Sequence, residues 1–464
     1  MATVQKIAGT SAASKPVQRC ARPECGTSHE VSERVYVCSK CGSPLEIQVP
    51  LPSDAGASEL KRLWTSRAAS REPRDISGVW RYRELLSFAK DVRPITLFEG
   101  RTPIYEAPRS AEYCGREQLL LKHQGCNPTG SFKDTGMTVA VTQAVQLGAR
   151  TVVCASTGNT AASLAAYSAR ADLQAAILLP AGQVSTAKLA QSLDYGAAVC
   201  EIDGNFDTCM RLIQELGEDP SIYVANSINP FRIEGQKTVA IEMMEQLDWR
   251  VPDHVVVPGG NMGNSSALGK GFEELLALKL IDRLPRLHVV QAEGAAPLAK
   301  LFATLDADIP RDEGALPSRM ETVAHPMTLA TAIKIGAPVS WQKSLRAVLR
   351  SGGSISSVTE KEIADAKAII GRDGIGCEPA SATTAAGLRK LAASKRIRPS
   401  ETVVAVLTGH VLKDPDYVGR YHQGTLALTD ASGTERRIAS AFPNAPRRVA
   451  ATKAAILENL ASRR

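Results

Sequence analysis

Residues 118–170 read QLLLKHQGCNPTGSFKDTGMTVAVTQAVQLGARTVVCASTGNTAASLAAYSAR, and the order of apolar runs in this stretch decides the fold class. A short run at 119–121 and a β-branched run at 151–155 have the length and composition of buried strands. Each precedes an amphipathic stretch, at 135–148 and 160–170, long enough to be a helix. The alternation continues outward. Strands are expected at 175–179, 222–225, 254–257, 287–291 and 403–407, with helices at 234–247 and 265–280. Such βαβ order predicts an α/β fold whose parallel-rich sheets carry helices on both faces. One sheet of that many strands would be unusually large for 464 residues, so two lobes are expected, with a cleft where strand ends from both converge.

Composition narrows the function class. With 44% hydrophobic and 22% charged residues the chain buries a sizeable core, which excludes a disordered or fibrous protein. The net charge of +7 is concentrated at one end, since residues 435–464 hold seven basic side chains against two acidic ones. A nearly neutral body argues against a nucleic-acid surface. No apolar run approaches a membrane span, and the start lacks the apolar segment of a secretion signal, so no membrane partner and a cytoplasmic location are expected. Residues 1–18, the Pro/Asp/Glu-rich stretch at 306–321 and the tail after 432 are the weakly structured candidates, and the tail at 450–460 suits a short amphipathic helix or disorder.

Four strand-to-helix turns carry chemistry. In NPTGSFKDTGM (127–137), glycine and proline bracket Lys133 beside Phe132. A lysine pressed by a low-dielectric wall loses its proton readily and can form a Schiff base with an aldehyde, although a solvated lysine at a helix start is the plain alternative. In STGNTAA (156–162), helix-start N–H groups with Ser156, Thr157 and Thr160 can hold a carboxylate, and Asn159 can donate to a phenolate; an ordinary helix cap reads the same way. PGGNMGN (258–264) suits a phosphate, because glycines let backbone N–H groups approach its oxygens at a helix N-terminus. It matches neither the dinucleotide nor the nucleoside-triphosphate motif. In LTGHVLKDP (407–415), Thr408 closes a strand where a hydroxyl could face a ring nitrogen without forcing its protonation, and His410 reads as structural.

These four segments, in this order and at these separations, resemble the threonine synthases, pyridoxal-phosphate enzymes of fold type II, the tryptophan-synthase-β-like fold. SGVWRYRELL (77–86), ANSINPFRIEGQKT (225–238), TAIKIGAPVSW (331–341) and CEPASA (377–382) extend the likeness over about residues 77–415, and KHQGCNPTGSFKD is similar to the longer, plant-like branch. The resemblance implies a pyridoxal 5'-phosphate cofactor held by Lys133, with Phe132 beside its ring. Gly260, Asn261, Met262, Gly263 and Asn264 would bind its phosphate, Asn159 would face O3′ and Thr408 the pyridine nitrogen. Ser156, Thr157 and Thr160 would hold the substrate carboxylate. Asn226, Ser227 and Arg232 match the positions that grip the substrate's own phosphate, where a guanidinium suits a dianion.

The reaction implied is conversion of O-phospho-L-homoserine and water to L-threonine and phosphate, a carbon–oxygen lyase chemistry of γ-elimination and β-replacement. A phosphoserine-using synthase, a threonine dehydratase and, from another class, a non-catalytic regulator remain the competing readings. Two positions depart from the family pattern. Val411 stands where glycine is usual, so the backbone beside Thr408 is expected to differ, because a β-branched residue resists positive φ. Gln124 stands where shorter relatives often carry an acid.

Four of the ten cysteines crowd the start. Cys20 and Cys25 have four residues between them, Cys38 and Cys41 two, and each pair ends in glycine, a pattern that looks like a structural zinc ribbon. The expected organisation is thus a ribbon-like segment with its Ala/Ser-rich start over 1–50, a first part of the large cofactor lobe over 51–135, a smaller lobe carrying the substrate-carboxylate loop over 136–236, the remainder of the large lobe over 237–430, and a basic tail over 431–464. Sequence leaves the oligomeric state open, a homodimer included.

Overall fold

The computed structural model describes residues 15–52, 56–156, 158–182, 186–305, 317, 319–430 and 432–461. Two expectations fall largely elsewhere: residues 1–14 of the Ala/Ser-rich start and most of the stretch at 306–321 lie outside the described residues, as does Thr157. A three-stranded antiparallel sheet opens the chain, with β1 (Val17–Cys20) between β2 (Ser28–Glu30) and β3 (Leu45–Gln48). Ten further strands form the two sheets of the body. In chain order they are β4 (Ile104–Glu106), β5 (Leu120–His123), β6 (Thr151–Ala155), β7 (Gln174–Pro180), β8 (Ala198–Ile202), β9 (Ile222–Val224), β10 (His254–Pro258), β11 (Arg286–Ala292), β12 (Ser354–Val358) and β13 (Val403–Leu407).

The large sheet runs β12-β11-β10-β13-β5-β4, parallel throughout except for the antiparallel edge strand β4. The small sheet runs β8-β7-β6-β9 and is wholly parallel. The α/β class and the two sheets agree with the expectation. Strands β10 and β13 are buried at every position, which is why they read as continuous β-branched runs: both faces of a parallel sheet pack against helices. On one face of the large sheet Val255, Val257, Val404 and Val406 meet Leu268, Phe272 and Leu345; on the other Val256, Val290 and Ala405 meet Ala382, Ala386 and Leu388.

Two helices bridge the sheets and hold the chemistry between them. Lys133–Gln146 and Pro230–Gln246 are buried along most of their length. Asn229 caps the second, its side-chain oxygen accepting from Phe231 N at 3.0 Å, with Pro230 pre-set for the first turn. They cross at small residues. A Cβ on Gly136 would lie 2.7 Å from the Arg232 carbonyl oxygen, and one on Gly235 would lie 1.8 Å from that of Thr135. Only glycine permits this approach, and it draws Lys133 and Arg232 toward one another.

The amino-terminal sheet spans both lobes. Arg346 donates to the Ala21 carbonyl at 2.6 Å and Lys343 to that of Leu45 at 3.3 Å, from a helix packed on the large sheet. On the other side Val224 N donates to the Tyr36 hydroxyl at 2.8 Å and Gln143 to the Val31 carbonyl at 2.8 Å. The tail contains a helix at Lys453–Ala461 with no buried residue, so the helical alternative holds there. Among the described residues, no helix is long and apolar enough to cross a membrane.

Candidate active site at the carboxyl ends of the two sheets

The four strand-to-helix turns and the Asn226 segment each leave the carboxyl end of a strand: β5 before Lys133, β6 before Ser156, β9 before Asn226, β10 before Gly260, and β13 before Thr408. This is where open α/β sheets place their ligands. The Lys133 turn is fastened to the end of β13. Phe132 N donates to the Thr408 carbonyl and His410 N to the Gly130 carbonyl, both at 2.9 Å. Asp134 ties the same turn from below, accepting from Thr129 N at 2.7 Å, Thr129 Oγ1 at 2.6 Å and Ser163 Oγ at 2.6 Å. Because Ser163 lies on the helix Asn159–Arg170, one carboxylate joins the lysine turn to the small lobe. Burial pushes the Asp134 carboxyl up to about 6, against the pull of its three donors.

Lys133 opens its helix, its Nζ 4.3 Å from the centre of the Phe132 ring. Burial lowers its amine to about 7, the Arg232 guanidinium pushing the same way and the Glu378 carboxylate pulling back. An amine that is half unprotonated near neutrality is a nucleophile for an aldehyde and a base for a carbon acid. Arg232 is 2% exposed. Its Nη1 donates to the Ala225 carbonyl at 3.1 Å, while Nε has no partner among the described residues and burial lowers the group to about 10. A buried guanidinium with unmet donors is prepared for an anion.

The 258–264 loop narrows toward the same space. Gly259 N donates to the Val290 carbonyl at 2.7 Å. Met262 takes a left-handed φ of 63° and starts the helix Gly263–Ala277, an uncommon conformation for a long side chain. Among the described residues, neither amide atom of buried Asn264 has a partner, nor has Gln236 Oε1, close to Gly263. Asn261, in contrast, is engaged by the protein itself, accepting from Val339 N at 2.6 Å. In the carboxylate loop, Gly158 N donates to Ser156 Oγ at 3.4 Å and Thr160 is 8% exposed. Asn226 spends its amide on Ala155, accepting from its N at 3.0 Å and donating to its carbonyl at 3.3 Å. It therefore aligns β9 with β6 in addition to any ligand role. Ser227 lies in the turn between β9 and the Arg232 helix.

Thr408 is 4% exposed and donates its hydroxyl to Glu378 at 3.0 Å. Val411 begins a short 3₁₀ turn, Val411–Lys413, and is not among the residues with positive φ, in keeping with a β-branched side chain. His410 accepts from Leu412 N at 3.3 Å and caps that turn. Gln124 is fully buried, and neither of its amide atoms has a partner among the described residues.

Sequence reasoning overlooked three contributors: Glu378, Gln236 and Asp134. Glu378 and Gln236 sit inside the CEPASA and IEGQKT segments that carried the resemblance, and Asp134 follows the lysine, so a polar residue starting or lining a buried helix was the available signal. At the amino-terminal sheet, the sulfur atoms of Cys20, Cys25, Cys38 and Cys41 all lie within 4.8 Å of one another. Cys20 and Cys41 are 3.5 Å apart, and Cys25 and Cys38 3.7 Å. A tetrahedron with metal–sulfur bonds of ~2.3 Å has edges of roughly 3.8 Å, so the four could hold one metal ion.

Known proteins share this architecture. The family model of pyridoxal-phosphate dependent enzymes matches residues 95–409. The chain is 45% identical over 396 residues to a threonine synthase of Methanosarcina acetivorans, covering 85% of this chain and 92% of that protein. It is 45% identical over 402 residues to a threonine synthase of Methanocaldococcus jannaschii (86% and 93%) and 45% identical over 337 residues to that of Mycobacterium leprae (72% and 88%). Among solved structures, the processed form of threonine deaminase isoform 2 from Solanum lycopersicum aligns with a TM-score of 0.58 at 18% identity, over 82% of this chain and 95% of that one. At that identity the likeness is one of fold.

Proposed function

We propose, from the premise that this chain belongs to the threonine synthases within the pyridoxal-phosphate-dependent enzyme family, that it converts O-phospho-L-homoserine and water to L-threonine and phosphate. The observation that carries the substrate reading is Arg232, a buried guanidinium with an unmet donor whose charge is felt at the Lys133 amine. A substrate without a phosphate would leave that group unpaired in a dry site, at a cost of roughly 1–3 kcal/mol or more. Dehydratases of the same fold type act on such substrates.

The residues fit the cofactor. An amine near neutrality suits an aldehyde, the glycine-lined helix start with the unmet Asn264 Nδ2 donor suits a phosphate, and Asn159 and Thr408 offer polar atoms for the ring's edge. When bound, pyridoxal 5'-phosphate supplies the electron sink that stabilises negative charge at the substrate's Cα. The protein's own residues do the rest. Gly260, Asn261, Met262, Gly263 and Asn264 hold the cofactor's phosphate, with Phe132 against the ring. Ser156, Thr157, Thr160 and the helix start behind them hold the substrate carboxylate and so fix which Cα–H bond faces Lys133. Lys133 Nζ removes that proton and later returns one. Arg232, with Asn226 and Ser227, holds the substrate phosphate while a Cβ proton leaves and its electron pair expels that phosphate from Cγ; Cγ then gains a proton and water adds at Cβ.

Purified protein should be yellow and lose its absorption band to borohydride, and Lys133→Ala should abolish band and turnover together. The deciding assay follows phosphate release and threonine formation from O-phosphohomoserine, with O-phosphoserine as comparison; equal turnover of both would refute the substrate reading. Zinc is the metal that four thiolates at these separations favour, and all ten cysteines are free thiols, which fits a reducing cytoplasm. A Cys38→Ser chain that retained stoichiometric zinc would remove the ribbon assignment.

A further inference from the structure

We infer that the cysteine-rich segment is a clasp between the lobes: its Tyr36 is a positioning residue for the substrate-phosphate grip, and a metal ion on the four sulfur atoms sets where Tyr36 stands. This rests on the reading above that Asn226, Ser227 and Arg232 hold the substrate's phosphate. Strand β9, from whose end those residues follow, is an edge of the small sheet. Ala225 N donates inward to the Val153 carbonyl at 2.9 Å, so Val224, one residue earlier and only 3% exposed, turns its own N–H and carbonyl to the open side. Two side chains stand in for the missing strand there. The Tyr36 hydroxyl accepts from Val224 N at 2.8 Å, and Asn229 Nδ2 donates to the Val224 carbonyl at 2.7 Å. The Tyr36 ring also meets that of buried Tyr223 edge-on, with centres 5.9 Å apart. Asn229 is the cap of the Arg232 helix, and the next carbonyl along, that of Ala225, is the one that receives Arg232 Nη1. Tyr36 thus fixes the strand end from which the guanidinium is hung.

The four sulfur atoms decide where Tyr36 can be. Residues 31–44 lie between β2 and β3 outside helix and strand. Tyr36 stands two residues before Cys38, which opens a tight turn: Gly42 N donates to the Cys38 carbonyl at 2.9 Å, and Cys38 N to that of Ser43 at 2.8 Å. In the same segment Arg34 donates to the carbonyls of Pro220, just before β9, and of Leu147, where the Lys133 helix ends. The first cysteine pair faces the other lobe. Ala21, next to Cys20, accepts from Arg346 on the helix Trp341–Ser351, whose cap Ser340 donates its N–H to the Asn261 carbonyl in the 258–264 loop at 3.3 Å. The sulfur atoms approach across the two pairs, Cys20 to Cys41 and Cys25 to Cys38. One bound cation therefore joins the half that touches the large lobe to the half that touches β9 and the Lys133 helix. Metal binding of this kind is folding free energy, and its withdrawal frees the Tyr36 segment to shift.

The test uses the full chain carrying its pyridoxal phosphate in three forms: metal-loaded wild type, wild type after a chelator has withdrawn zinc, and metal-loaded Tyr36→Phe. Binding of inorganic phosphate is measured by calorimetry, and binding of L-threonine, which has no phosphate, by the cofactor's absorption. Amide exchange of the peptide containing Val224 is followed by mass spectrometry. Loss of either the hydroxyl or the metal should weaken inorganic phosphate by about tenfold, the equivalent of one hydrogen bond. It should also quicken exchange at Val224 and leave L-threonine binding unchanged, and zinc returned to the wild type should restore the starting values. Unchanged phosphate binding in Tyr36→Phe overturns the inference. So does phosphate binding indifferent to zinc, an equal loss for phosphate and L-threonine, or a chain whose four cysteines hold no metal. Arg232→Gln separates the two levels: if it too leaves phosphate binding unchanged, the reading of the phosphate grip has failed; if it weakens phosphate while Tyr36→Phe does not, only the clasp has.

Discussion

The substitution Gly235→Ala tests the claim that a helix crossing, more than any single contact, sets the distance between the reactive lysine and the anion-binding arginine. On propensity alone, alanine in a helix interior is better than glycine by ~0.5–1 kcal/mol. Packing opposes this. The new methyl would lie 1.8 Å from the Thr135 carbonyl oxygen and 2.9 Å from a methyl of Val139. Recovering an ordinary contact requires the two helices to part by roughly 1.5 Å. Forcing extra volume into a packed crossing typically costs about 1–3 kcal/mol, which outweighs the propensity gain. The functional loss is larger, since a misplacement of ~1 Å can cost ~10²-fold in rate, and Thr135 and Gly235 stand two and three residues from Lys133 and Arg232. Urea denaturation should therefore show a lower midpoint, and kcat/KM for O-phosphohomoserine should fall by about 10²-fold. Gly371→Ala is the control: it lies in the helix Glu360–Arg372 and its added Cβ meets nothing within 4 Å, so stability should hold or rise slightly. If Gly235→Ala behaved like Gly371→Ala in both measurements, the crossing would not be what holds the site together.

Three other outcomes can be stated. The lysine amine is lowered from 10.5 to about 7, so capture of pyridoxal phosphate by cofactor-free enzyme should accelerate as pH rises through about 7 and then level off; a rate still climbing towards 10.5 would contradict a desolvated amine. Replacing Arg232 by glutamine removes charge-assisted bonds worth ~1.5–3 kcal/mol, which should raise KM for the phosphorylated substrate by about 10–10²-fold, and an unchanged KM would place the phosphate elsewhere. His288 is pushed down from 6.5 to about 3 by burial, with His254 and nearby arginines acting the same way. Its unfolded form takes up a proton first as pH falls, so its contribution to stability is present above about 6.5 and is lost progressively towards 3. Between pH ~6.5 and ~4.5 the loss is about 2 kcal/mol, and a His288→Gln chain should show a correspondingly shallower acid dependence in its urea midpoint.

What the sequence made legible tracks how locally each feature is determined. Strands β6 and β13 match the expected ranges because both faces of each are buried and every position is apolar or small. Strand β12, SISSV, escaped notice because two of its serines face partly exposed space, and β4 because an edge strand of three residues has no periodicity to detect. The motif turns were recognisable from glycine, proline and hydroxyl spacing. Their mutual placement was not. Nothing along the chain says that Asp134 reaches Ser163, or that the Glu378 carboxylate lies between Asn159 and Thr408, because those contacts are created by the convergence of strand ends from two sheets.

The same limit explains why a buried lysine is not by itself a reactive one. Lys122 and Lys237 are fully buried, as deeply as any catalytic amine. Lys122 nevertheless pairs with Glu242 and donates to Gln246 at 2.7 Å and to the Thr102 carbonyl at 2.6 Å; Lys237 reaches Glu234 and Glu274, each at 2.8 Å. In both, a carboxylate stands against the nitrogen; at Lys122 it pulls back against the burial that lowers the amine. Among the described residues, no acid is pressed against the Lys133 nitrogen. Its strongest charged neighbour after burial is Arg232, which repels the proton, with Glu378 a weaker counterweight held off by Asn159 and Thr408. Reactivity here therefore comes from where the carboxylates are not, and a substitution that introduced an acid within reach of Lys133 would quench the amine without touching the lysine, visible as a shift of cofactor capture towards higher pH.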